Sequence, residues 1–262
     1  MADFTVVGGQ GYVGRHLVRH LEASGHRVAV PARDMVSVLG QPLGHVVYAV
    51  GLTADFRRKP FETVEAHVSL ASRILREGIF DSFLYLSSTR VYGHAARGDE
   101  SAPLVVDPVD PSDLYNLSKL MGESITLQSG RPNTRVVRLS NIVGGHRPSE
   151  SFLTSLVAEA KSGKVMLRSA LASSKDYLHV GDAVAMLAAV ALHGRKSLYN
   201  IASGTTLSHG VWISALQQRF GCAVAVEADA PVLQFPPIAV RRFQEEFPFR
   251  PGSALRALDD FT

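Results

Sequence analysis

Three glycines, Gly8, Gly11 and Gly14, recur at three-residue intervals between an apolar run and a helical pattern. Phe4-Thr5-Val6-Val7 reads as a short buried strand. After the loop, Val13, Leu17, Val18 and Leu21 fall on one helical face, and Gly25 stops the helix. Glycines at this spacing let the backbone approach a pyrophosphate closely, while the helix N-terminus offers N–H groups and the positive end of its dipole. The arrangement predicts a dinucleotide site at the start of a βαβ unit.

The rest of the chain repeats the alternation. Strands are expected at Arg27–Val30, His45–Val50, Ser82–Leu86 and Thr134–Leu139. Helices are expected at Phe61–Arg76, with Val64, Val68, Ala71 and Leu75 aligned, and at Ser112–Leu127. Such alternation implies an α/β fold, a Rossmann-type doubly wound parallel sheet covered on both faces. Sites in such sheets form beyond the carboxyl ends of the strands, where the Gly8 loop, Ser88 and Asn141 would converge. After Gly144 the pattern loosens. Helices are expected at Ser151–Lys161, at Asp182–His193 with Asp182 as N-cap, and at Ser208–Phe220 with Val211, Trp212, Ala215 and Leu216 inward. Short strands are expected at Lys164–Leu167 and Tyr199–Ala202, and a last short helix after Phe235-Pro236-Pro237. Residues 1–145 then form the dinucleotide-binding domain, borrowing sheet segments near 175–205. Residues 146–262 form mainly a small C-terminal substrate-binding lobe.

Composition excludes several classes. In 262 residues, 46% are hydrophobic and 19% charged, which leaves no case for disorder. A net charge of +3 is too slight to argue for nucleic acid. The single cysteine, Cys222, reads as a small core residue. The Ala183–Leu192 run is too short to span a bilayer, and Asp3 with the early glycines argues against a signal peptide. A cytoplasmic protein with no membrane contact and no metal site is expected.

The chemistry centres on Tyr115-Asn116-Leu117-Ser118-Lys119. Tyr115 and Lys119 are four residues apart and share one helix face. An ammonium near a phenol favours the phenolate, so Lys119 is expected to lower the Tyr115 pKa toward working pH and fit it for general acid–base work on an alcohol or ketone. Ser88, at a strand end, offers a hydroxyl to a substrate carbonyl. Around the glycine loop, Tyr12, Val13, Ala49 and Val50 are further cofactor-facing candidates. The second strand ends Val30-Pro31-Ala32-Arg33-Asp34. Where an acid would hold a ribose 2′-hydroxyl there is Ala32, and the next residue is Arg33, whose guanidinium suits a 2′-phosphate. NADP(H) is therefore favoured, with NAD(H) the alternative if Asp34 holds the ribose.

The ordered motifs Gly8-x-x-Gly11-x-x-Gly14, Leu86-Ser87-Ser88-Thr89-Arg90-Val91-Tyr92-Gly93, Tyr115-x-x-x-Lys119, Arg138-x-x-Asn141-x-x-Gly144 and Asp176-Tyr177-Leu178-His179-Val180-x-Asp182 resemble the extended short-chain dehydrogenase/reductases. Within these the match is to the NAD-dependent epimerase/dehydratase group, which acts largely on nucleotide sugars. The resemblance implies that Ser88, with Thr89, and Tyr115 polarise the reacting C–O group, and that Lys119 holds the nicotinamide ribose. Asn141 would touch the substrate near its diphosphate or sugar, and the Tyr115 helix would help form a homodimer. Lys175 stands where the group usually has an arginine before Asp-Tyr and would face the diphosphate, with Arg241 and Arg242 as further partners. Two departures narrow the reaction. Thr89-Arg90 replaces the Asp-Glu pair of the dehydratases, which disfavours water elimination, and Glu65-Ala66-His67-Val68 replaces a Glu-x-Asn-Val context. The expected activity is NADP(H)-dependent reduction of a keto group on a nucleotide-linked sugar. The alternatives are a 4-epimerase with retained cofactor, a reductase of another small carbonyl compound, and a non-catalytic NADP-sensing regulator.

Overall fold

The computed structural model describes residues 1–32, 39–53, 55–145 and 151–261. Strand β1 (Asp3–Val7) buries Phe4 to Val7 and feeds the glycine loop, from which α1 (Tyr12–Ala23) departs with Leu17 and Leu21 inward. There follow β2 (Arg27–Ala29), β3 (His45–Tyr48), α2 (Pro60–Val64), a π-helical turn (Glu65–Ser69) and α3 (Leu70–Glu77). Next come β4 (Ser82–Ser88), α4 (Asp113–Gln128) and β5 (Thr134–Leu139). The chain continues through β6 (Asn141–Val143), α5 (Phe152–Lys161), β7 (Lys164–Leu167), β8 (Ser174–His179), α6 (Val180–His193) and β9 (Leu198–Ile201). It ends with β10 (Thr206–Ser208), α7 (His209–Phe220), β11 (Ala223–Val226), α8 (Arg241–Gln244) and a 3₁₀ segment (Ala254–Phe261).

The central sheet runs β2-β1-β3-β4-β5-β9 and is parallel throughout. After β2 the chain returns to the other side of β1, so the strand order reverses between β1 and β3. A crevice for a ligand opens at the carboxyl ends there. One face of the sheet packs Leu17 and Leu21 of α1 with Val184 and Leu187 of α6. The other packs Ala71, Ile74 and Leu75 of α3 against Tyr48 and Tyr85. Helices on both faces explain why the strands read as continuous apolar runs rather than alternating ones. The Rossmann-type α/β class is as expected.

Beyond β5 a second core forms around Leu156, Val157, Val165, Trp212, Leu216 and Cys222, joining α5, α7, β7 and the last 3₁₀ segment. Its strands lie in two small sheets, β10-β8-β6 and β11-β7. β6, β10 and β11 are too short to carry a periodic signal of their own. No helix among the described residues is long and apolar enough to cross a membrane.

Three local expectations need correction. Asp182 does not cap α6; the helix starts at Val180, and His179 is the cap, its Nδ1 accepting from the Gly181 N–H at 3.1 Å. The Asp182 carboxylate instead accepts from the Gly252 N–H and pairs with Arg256 at 2.7 Å. The 60–77 helical stretch is interrupted by the π turn, whose extra residue rotates the inward face. Val64 is consequently 41% exposed, while Thr63 and His67 are buried. In α7 it is Trp212, Ile213 and Leu216 that turn inward, and Val211 faces outward.

Candidate active site

A cavity of about 640 Å³ opens at the carboxyl ends of β1, β3, β4 and β5. The glycine loop forms one rim. Gly8 has φ +82°, and a Cβ there would lie 2.9 Å from the Ala49 carbonyl group, so the loop and the end of β3 meet backbone to backbone. A Cβ on Gly14 would sit 2.2 Å from the Gly8 carbonyl oxygen. Only glycine lets α1 start this close to β1. The α1 N-terminus has no side-chain cap and no acidic residue in its first turn. Gly11, Tyr12 and Val13 line the cavity there, with Ala49 and Val50 beside them. An uncapped helix start behind a glycine cradle suits a dinucleotide pyrophosphate. Gly8 and Gly14 lie beneath this rim as packing positions. Arg33 and Asp34 lie outside the described residues.

The floor is formed by β4 and α4. Ser88 ends β4 and caps the following 3₁₀ turn (Thr89–Tyr92), its Oγ accepting from the Arg90 N–H at 3.2 Å. Tyr115 is 6% exposed and lines the cavity together with Ser88, Thr89 and Lys119. Burial pushes the Tyr115 pKa up, while a hydrogen bond with Ser88 and the charge of Arg90 oppose the rise. The Arg90 guanidinium carbon stands 5.3 Å from the Tyr115 ring centroid. The cation facing the phenol is thus Arg90 rather than Lys119. The Lys119 ammonium donates to the Leu86 carbonyl at 2.9 Å, and burial pushes its own pKa down to about 7 against the pull of Glu123. Burial outweighs the attraction that helical spacing alone suggests.

Residues that sequence reading had not assigned hold these groups in place. Glu123, one turn beyond Lys119, accepts from Ser87 Oγ and pairs with Arg138, with Arg138 Nη2 2.7 Å from Glu123 Oε2 and both side chains 5% exposed. Arg138 also donates to the Tyr92 hydroxyl at 2.8 Å, and Tyr92 donates to Asn200 Oδ1 at 2.9 Å. This buried chain ties α4 to β4, β5 and β9. His67, in the π turn, accepts from the Leu52 N–H through Nε2 at 3.1 Å. Its Nδ1 lies 2.8 Å from Ser118 Oγ, and its ring meets Tyr115 edge-on at 5.3 Å. It therefore anchors the loop after β3 to the Tyr115 helix. The sequence marked this position as a departure, a histidine where the resembling group has Asn, without assigning the anchoring role.

The outer wall holds Asn141, Lys175 and Asp176. Asn141 donates to the Asp176 carbonyl at 2.9 Å, and Lys175 lies 5.0 Å over the Phe235 ring. The Asp176 carboxylate accepts from Ser203 and the Gly204 N–H, which leaves it occupied. Arg57, Phe235 and Ile238 also line the cavity, without any sequence signal. Arg241 is not among the walls; it pairs with Glu245 on the surface at 2.7 Å and is 89% exposed. Arg242 donates to the Leu198 carbonyl, away from the cavity walls.

The sequence matches the family described as the NAD dependent epimerase/dehydratase family over residues 4–202. No curated protein matches the chain in sequence. Many solved structures share the fold. TunA, a NAD dependent-NDP-hexosamine 5,6-dehydratase involved in tunicamycin biosynthesis, superposes with TM-score 0.81 at 21% identity, over 99% of this chain and 96% of that one. RMD from Pseudomonas aeruginosa, complexed with NADPH, gives TM-score 0.79 at 24% identity, over 100% and 99%. The UDP-glucose 4-epimerase of Thermus thermophilus, in complex with NAD, gives 0.78 at 19%, over 99% and 98%.

Proposed function

The chain belongs to the NAD dependent epimerase/dehydratase family, and from that premise we propose that it is an NADP(H)-dependent reductase of a keto group on a nucleotide-activated sugar. The observation that carries the reading is that Ser88, Tyr115 and Lys119 line one cavity at the carboxyl ends of the sheet, next to Thr89-Arg90 where the dehydratases keep an acid pair.

When bound, the nicotinamide supplies a hydride to the carbonyl carbon. The glycine loop, Tyr12, Val13, Ala49 and Val50 would hold the dinucleotide, and a guanidinium at Arg33 would favour its 2′-phosphate. Ser88 orients the carbonyl oxygen by a hydrogen bond. Tyr115 gives its phenolic proton to that oxygen as the carbon is reduced, which yields an alcohol. Its pKa, held up by burial, keeps the phenol protonated before reaction, as a general acid requires. Arg90 then stabilises the phenolate that remains. Lys119, whose pKa burial brings down to about 7, would hold the nicotinamide ribose and help return the proton. Asn141 and Lys175 face the diphosphate. Nothing in this set replaces the acid pair needed to expel water.

The experiment follows NADPH absorbance with nucleotide-linked keto sugars, comparing wild type with Tyr115→Phe. Stoichiometric NADPH loss that falls by at least about 100-fold in the variant supports the reading. Interconversion of UDP-hexose epimers without net cofactor change would replace reduction by epimerisation, and unchanged turnover in Tyr115→Phe would remove the acid role. Tighter binding of NADH than of NADPH would overturn the NADP preference.

A further inference from the structure

Four cations line the cavity: Arg57, Arg90, Lys119 and Lys175. Among the described residues, none of them is in an ion pair. Two are clustered. The Arg57 guanidinium carbon lies 4.6 Å, and that of Arg90 5.0 Å, from the centroid of the buried Phe56 ring, which itself packs 5.5 Å from the Tyr115 ring. Both reach Ser112, Arg57 donating to its hydroxyl at 2.9 Å and Arg90 to its carbonyl at 3.3 Å. Among the described residues, these contacts use one nitrogen of each fork and leave most of the N–H groups for another partner.

Among the described residues, Asp110, Asp113 and Asp176 are already engaged. Asp113 accepts from the Asp107 N–H and the Asn116 amide, and Asp110 accepts from the Ser112 N–H. Asp176 is held by Ser203 and Gly204. Two adjacent guanidiniums on an aromatic floor repel one another, and closing the site over a neutral ligand would strip water from them without replacement. A planar anion relieves both costs, because the guanidinium fork matches two carboxylate oxygens.

We propose that Arg57 and Arg90 form an anion-binding pocket beside Tyr115 that selects a sugar bearing a carboxylate near its reacting carbon; the position of that carbon rests on the reductase reading above. The location separates this anion from a diphosphate. Arg90 follows Ser88 by two residues, its N–H is bonded to Ser88 Oγ at 3.2 Å, and its guanidinium stands over the Tyr115 ring. Ser88 and Tyr115 bracket the reacting oxygen, so an anion at Arg90 is a substituent of the sugar ring itself.

The test is calorimetric titration of the full chain, with NADP⁺ present, using two matched pairs. These are UDP-glucuronic acid against UDP-glucose, and glucuronic acid 1-phosphate against glucose 1-phosphate. In each pair the acid binds at least about tenfold tighter. Arg57→Gln closes that gap to about twofold or less and leaves the neutral member unchanged, and Arg90→Gln closes the gap as well. Arg57 is exposed, so its replacement keeps the test independent of folding. Equal affinity for acid and neutral sugar in the wild type would overturn the proposal. So would equal weakening of both members by the substitutions, which would assign the cations to the phosphates. Acid preference in the sugar phosphates with no gain from the UDP group supports the pocket while removing the nucleotide from the reductase reading. Tight UDP-glucose binding without acid preference removes the pocket and leaves that reading standing.

Discussion

Tyr115, Lys119 and Glu123 occupy successive turns on one face of α4, and each meets a different environment. Tyr115 faces the cavity beside Ser88 and Arg90, Lys119 turns to the Leu86 carbonyl, and Glu123 is sealed against Ser87 and Arg138. The spacing placed all three on one side but said nothing of what each would touch. The Glu123–Arg138 pair is buried, so removing one partner strands the other charge. Glu123→Gln is expected to lower unfolding free energy by about 3–5 kcal/mol, read from the urea midpoint. Replacing both, as Glu123→Gln with Arg138→Met, should recover part of the loss. Recovery by the double variant distinguishes an uncompensated charge from simple loss of packing.

At the scale of elements, the glycine loop and the helix after it show the tightest coupling between sequence and shape. Gly14 has no room for a methyl group, since the obstacle is the backbone of Gly8 and Gly9 rather than a mobile side chain. Gly14→Ala is expected to destabilise the protein by at least about 1–3 kcal/mol and to abolish measurable dinucleotide binding. Gly25→Ala provides the contrast. It carries φ +80° with nothing within 4 Å of a new Cβ, so it should cost about 1–2 kcal/mol of backbone strain and leave dinucleotide affinity unchanged. Fluorescence titration with NADPH and thermal unfolding separate the two effects. The π turn makes the opposite point about elements. Val64, Val68, Ala71 and Leu75 fit an α-helical stripe, yet the inserted residue turns Val64 out and His67 in. A hydrogen-bonded histidine at the core edge competes successfully with an apolar stripe, because it satisfies both the Leu52 N–H and Ser118.

Across the whole molecule, burial keeps two imidazoles neutral far below their usual range. The His67 pKa is pushed down to about 2 by burial and then by the Lys119 charge, and that of His209 to about 4 by burial and then by Lys175. In the unfolded chain both take up a proton near pH 6.5. Below that pH the unfolded state therefore binds more protons, and stability falls as pH drops. The expected loss is about 1.4 kcal/mol per pH unit for each imidazole, from near pH 6.5 down to the folded value. Thermal unfolding at pH 7 and pH 5 should show a lower midpoint at pH 5, and His67→Asn should flatten the slope. The two histidines belong to different cores, so the dependence spans both parts of the chain. The alternation of strand and helix patterns, the three glycines and the ordered motifs determined by themselves the parallel sheet and the family. Those features are local, set by backbone geometry and by periodicity within single elements. Only the tertiary structure decided that Arg90 rather than Lys119 faces the phenol, that Arg57 and Arg90 share the Phe56 ring, and that β6, β8 and β10 pair beside the cavity. Each of these depends on which side chains lose water together, and residues distant along the chain meet only once both cores have closed.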